Sequence, residues 1–90
     1  MELYLVEHRL PRTTDVELHL LGAVFDDACE RVCSRGEDIR YLRSTFLPAR
    51  ERLLSYFMAE SAETVRAVSA LAQLPVELLE RAVDLDLTST

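Results

Sequence analysis

Ninety residues make a single small domain, and a composition of 49% hydrophobic and 29% charged residues, with two Gly and three Pro, is globular rather than disordered. A formal net charge of −6 argues against nucleic acid or an anionic membrane surface as a partner, because both require a basic patch. No apolar run approaches the ~20 residues of a membrane span, and Met1-Glu2-Leu3-Tyr4 lacks the basic start of a signal peptide, so the expected location is the cytoplasm.

Leu3 to His8 reads as a first strand with apolar residues on both faces as far as Val6, ended by Pro11. Thr14-Asp15-Val16-Glu17 fits a capping box, in which the Thr14 hydroxyl accepts from the amide of Glu17. From there Leu18, Leu21, Val24, Phe25, Ala28, Cys29 and Val32 recur at helical spacing and form one apolar stripe. Glu17, Asp26, Asp27, Glu30 and Arg31 fall mainly on the other side, and Gly36 closes the helix. Cys29 and Cys33, the only cysteines, are one turn apart; both read as small buried apolar residues rather than a disulfide.

Ile39–Leu47 and Leu53–Met58 form a hairpin around the polar turn Pro48-Ala49-Arg50-Glu51-Arg52. In its second strand Leu54, Tyr56 and Met58 share one side, and Leu53, Ser55 and Phe57 the other. Ser61 caps a second helix in which Val65, Val68, Leu71 and Ala72 face inward, stopped at Pro75. Val76–Glu80 fits either a helical turn or an extended segment. The strict alternation from Ala82 to Leu87 predicts the last strand.

The order strand, helix, strand, strand, helix, strand is the split βαββαβ pattern of ferredoxin-like domains, α+β in class. It implies a four-stranded antiparallel sheet with both helices on one face. Two helices cover one face only, yet the first strand and the hairpin carry large apolar residues on both. Leaving them wet would forfeit roughly 1.5–3 kcal/mol per large side chain. The expectation is a homodimer, or a higher oligomer, packed sheet to sheet as in dimeric α/β-barrels and enclosing a pocket.

Chemistry-bearing residues are few. His8 ends the first strand beside Glu7 and is the candidate acid or base. His19 lies with Asp15 and Asp26 on the polar side of the first helix. Simple alternation puts Arg40 and Arg43 on opposite faces, so only one of them reaches a pocket. Arg43 with Tyr56 suits an anionic or phenolic ligand, and an ion pair of Arg43 with Glu51 or Glu60 is the alternative. Asp84 and Asp86 share a face of the last strand, where they fit a cation or simply discourage edge association. HExxH, paired CxxC, P-loop, GxGxxG and GxSxG motifs are all missing, so no metal site or cofactor is expected from motifs.

Tyr4-Leu5-Val6-Glu7, Leu10-Pro11, Ile39-Arg40-Tyr41-Leu42-Arg43-Ser44, Val65-Arg66 and Leu74-Pro75 together resemble a family of small bacterial proteins of unknown function. That family includes a nickel-binding protein with a dimeric ferredoxin-like fold. The resemblance runs from about Leu3 to Leu87 and implies the same fold and pairing. It also implies a metal ligand at His8, which matches the first His of the family's Asp-x-His. Val6 replaces the Asp of that motif, His19 lies off the expected helical position, and Ser61–Gln73 holds no His. Ser55 and Met58 occupy the places of the family's Cys and acidic residue.

Three functions are therefore expected. The leading one is a homo-oligomeric domain binding a small, partly apolar molecule on the open sheet face, with Tyr4, His8, Arg43 and Tyr56 as its residues. The second is a cofactor-free isomerase or cyclase using His8 as acid/base and Arg43 or Tyr56 to steady an enolate-like oxygen. The third is divalent-metal binding through His8 with Glu7 or Asp84 and Asp86; a purely associative role stands beside them.

Overall fold

The structure, a computed structural model, describes residues 1–11 and 13–85. The chain runs β1 (Glu2–Arg9), α1 (Asp15–Cys33), β2 (Ile39–Leu47), β3 (Arg52–Ala59), α2 (Ala62–Leu71) and β4 (Val76–Arg81). The strands form one antiparallel sheet in the order β2-β3-β1-β4, which is the ferredoxin-like arrangement.

Local chemistry accounts for the element boundaries. The Thr14 hydroxyl accepts from the Glu17 amide at 3.2 Å and starts α1, and the Ser61 hydroxyl accepts from the Thr64 amide at 3.4 Å and starts α2. Gly36, at φ +95°, turns the chain out of α1 in a conformation that a Cβ disfavours. The end of α2 uses Gln73 instead, in the left-handed region at φ +59°. There the Leu74 amide donates to the Ser69 carbonyl and the Gln73 amide to the Ala70 carbonyl, both at 3.1 Å, a Schellman closure without glycine. The β2–β3 turn likewise takes Glu51 to φ +54°, and its carbonyl accepts from Leu10 at 2.9 Å, tying the end of β1 to the hairpin.

The core lies between the sheet and the helices. Val6 from β1, Leu53, Phe57 and Ala59 from β3, Phe25, Ala28 and Val32 from α1 and Val65 and Val68 from α2 are all buried. Phe25 is its centre, packing edge-on to Phe57 at 5.4 Å and tilted against Tyr41 at 5.2 Å between ring centroids.

Three expectations change here. The last strand is Val76–Arg81, upstream of Ala82–Leu87. The cause is a bulge: Glu7 pairs with Leu78 but His8 with Val76, so Glu77 is an extra residue and the alternation that marks a strand is broken. Residues 82–85 have no regular structure, with Val83 and Leu85 more than three-quarters exposed, and Asp86 and Leu87 lie outside the described residues. Cys33 is exposed rather than buried, because α1 ends there; its thiol donates to the Ile39 carbonyl at 3.3 Å, and Cys29 is buried as expected. Finally, α1 carries a second apolar stripe facing outward, in which Val16, Leu20 and Val24 are 70%, 58% and 40% exposed.

Candidate functional site

Strand alternation sorts the side chains of the sheet into two sets. Tyr4, Val6 and His8 of β1 stand beside Phe57, Ser55 and Leu53 of β3 on the helix side. Leu3, Leu5 and Glu7 stand beside Met58, Tyr56 and Leu54 on the open side. Leu78 of β4 extends the open set next to Glu7. The open face is thus an apolar band of Leu3, Leu5, Leu54, Tyr56, Met58 and Leu78 across three strands, most of it half-buried by its own neighbours.

Charge frames that band. The Arg43 guanidinium lies over the Tyr56 ring, 4.4 Å from its centroid, and so takes neither Glu51 nor Glu60 as an ion partner. Arg52 pairs with Glu7 at 3.9 Å at the turn end of the face. Arg40, expected on the side away from Arg43, is on the same side. Arg40 pairs with Met58 and Arg43 with Tyr56, so Leu42 is an extra residue that resets the alternation of β2.

The four residues expected to share one pocket are therefore divided. Arg43 and Tyr56 are on the open face, while Tyr4 and His8 point under the helices. His8 has no exposed surface. Its ring stacks on Phe25 at 5.9 Å, and Nε2 is 3.4 Å from the Ser69 hydroxyl of α2. Nδ1 is buried and has no hydrogen-bond partner among the described residues. Burial pushes the imidazole from its usual 6.5 down to about 4, so it is neutral at pH 7. The less costly tautomer places the proton on Nε2, donated to Ser69, and leaves only a lone pair unsatisfied. Glu7, named with His8 as a possible metal ligand, is on the opposite face of β1. Asp84 is exposed, and Asp86 lies outside the described residues. Among the described residues no three His, Cys, Asp or Glu side chains converge as a metal site requires. His19 is on the solvent side of α1, with Nδ1 2.7 Å from the Asp15 carbonyl oxygen.

A half-buried polar chain went unrecognised in the sequence. The Tyr41 hydroxyl shares a hydrogen bond with Ser44 at 2.8 Å, and Ser44 one with Ser55 at 2.7 Å. Ser55 was readable as the one polar residue on the inward side of β3, and such a group requires partners. This polar chain gives the buried Ser55 hydroxyl a partner and links it to the half-buried Ser44 and Tyr41.

Two surface grooves lie elsewhere. One of about 400 Å³ runs between the helices and includes Leu20, Val24, Asp27, Arg31 and Leu71. Another of about 300 Å³ lies beside the edge of β2, bordered by Cys29, Cys33, Arg40 and Tyr41. Neither includes Tyr4, His8, Arg43 or Tyr56. Burial, with the neighbouring Cys33 and Asp26 adding to it, pushes the Cys29 thiol up to about 11.

No helix among the described residues is long and apolar enough to cross a membrane. No protein-family model and no curated protein matches the chain. Among solved structures the chain is similar to the crystal structure of SCO4226 from Streptomyces coelicolor A3(2), with a TM-score of 0.74 and 17% identity. The match covers 89% of this chain and 94% of that one, and at this identity it shows that the two share a fold.

Proposed function

We propose that the chain acts as a homodimer, packed open face to open face, that holds a small, partly apolar molecule between the two sheets against Tyr56 and Arg43. The observation that carries this reading is the make-up of the open face. Six large apolar side chains form a continuous band there, and helices cover only the opposite side. Monomers rarely leave a contiguous apolar patch above a few hundred Å² in water. A second copy covers that band with an identical one, as a two-fold interface requires. Arg43 and Tyr56, in contact with each other, are among the few polar groups set into this surface, which matches the usual small-molecule site of apolar walls with a few oriented polar groups.

Sedimentation equilibrium of the purified chain tests the reading. The expected species is a dimer at micromolar concentration, and Leu5→Glu on the open face converts it to a monomer that keeps its helical circular dichroism. A wild-type chain that sediments at its 10.3 kDa monomer mass across that range would refute the proposal.

A further inference from the structure

We infer that the bulge at Leu42 builds a two-arginine clamp, Arg40 with Arg43, which selects an apolar aromatic ligand bearing one anionic group, a carboxylate or sulfonate. The inference rests on the reading of the open face as the binding surface and adds to it the chemical class of the ligand.

In an unbroken strand, residues three apart stand on opposite faces. Here Leu42 takes up the extra position, and Arg40 and Arg43 become successive residues on the open side, opposite Met58 and Tyr56 of β3. Successive same-face positions are about 7 Å apart, close enough for two guanidinium groups to converge on one anion. Neither arginine forms an ion pair among the described residues. Of the carboxylates on this side, Glu7 and Glu80 are committed or distant, while Asp38 and Glu60, just beyond the ends of β2 and β3 next to Arg40, form no ion pair with either arginine. Glu7 pairs with Arg52, and Glu80 is on β4, the opposite edge of the sheet. Three strand spacings, about 14 Å, separate that edge from β2.

Two like charges beside an apolar band repel each other unless something negative sits between them. The Tyr56 ring carries the Arg43 guanidinium 4.4 Å from its centroid, which restricts where this side chain sits and leaves its N–H groups without a carboxylate partner among the described residues. A carboxylate or sulfonate fits the guanidinium fork in two parallel hydrogen bonds, with Arg40 closing from the other side. The aromatic body of such a ligand then lies on the band formed by Leu5, Tyr56 and Met58. The net charge of −6 on the chain makes the selection local, since the remaining surface repels anions.

Two dyes of nearly equal shape isolate the charge: anilinonaphthalene sulfonate, an aromatic anion, and its uncharged parent N-phenylnaphthylamine. Fluorescence titration of the native protein is expected to show at least tenfold tighter binding of the anion. The preference drops several-fold in Arg40→Gln or Arg43→Gln and vanishes in the double variant, which still binds the neutral dye. Arg43→Lys restores only part of it, because an ammonium lacks the planar fork. Equal affinity for the two dyes in the wild type, a preference that survives the double variant, or binding of neither dye by the folded protein would overturn the inference. Sedimentation of the same samples separates the two ideas. A dimer without anion preference removes the clamp and leaves the pairing, whereas a monomer with the preference removes the pairing and leaves the clamp.

Discussion

His8 makes the stability of this domain sensitive to mild acid. Folded, the imidazole is enclosed by Phe25 and Ser69 and takes a proton only near pH 4; unfolded, it does so near 6.5. Between those values the unfolded chain binds the extra proton, so the contribution is complete above pH 6.5, declines as pH falls toward 4, and is flat below. At about 1.4 kcal/mol per pH unit the full effect is about 3 kcal/mol. For a chain of this size total stability is roughly 5–13 kcal/mol, so a large fraction is at stake. Urea unfolding at fixed ionic strength and fixed protein concentration, at about pH 7, 5.5 and 4.5, reads the slope directly. The variant His8→Leu/Ser69→Ala removes the imidazole and its hydroxyl partner together, leaving no half-satisfied pair. The slope between pH 6.5 and 5 is expected to disappear in it. A wild-type protein with no slope there, an equal slope in the variant, or a His8 ring proton that titrates near 6.5 by NMR would refute the reasoning.

Gln73→Gly relieves the left-handed closure of α2 and should raise stability by about 0.5–1 kcal/mol in thermal unfolding, whereas Gln73→Val should lower it. Phe25→Ala, which removes the ring against which His8, Tyr41 and Phe57 pack, should cost about 3–5 kcal/mol in urea unfolding. Thiol titration with a chromogenic disulfide should show one fast group, Cys33, and one that reacts only on opening, Cys29; Cys33→Ser should eliminate the fast phase. Ser55→Ala leaves the Ser44 hydroxyl short of a partner and should destabilise by about 1–2 kcal/mol, and Ser44→Ala/Ser55→Ala by less than the sum of the single changes.

The order of elements was readable because the signals for it are local. Thr14 and Ser61 announce helices through their side-chain oxygens, Gly36 and Pro75 mark exits, and β3 alternates cleanly around Ser55 and Phe57. What escaped reading has two physical causes. One is the bulge: Glu77 in β4 and Leu42 in β2 each add a residue that breaks the two-residue period, so one strand was expected six residues too late and Arg40 on the opposite face. The other is symmetry of composition. β1 carries Tyr4, Val6 and His8 on one side and Leu3 and Leu5 on the other, so hydropathy alone does not say which set meets the helices. The packing of Phe25 against His8 decides that, and it joins residues 17 positions apart in the chain. Cys33 was misplaced for a simpler reason: helical periodicity continues to the last turn, but the neighbouring layer does not.

Both bulges are in the outermost strands, β2 and β4. A straight, unblemished border presents a ladder of free amides and carbonyls on which another molecule's strand can add, and then another without limit. An extra residue twists each border out of the plane such growth demands. Fibre-like growth by strand addition is thereby discouraged at both margins of the sheet.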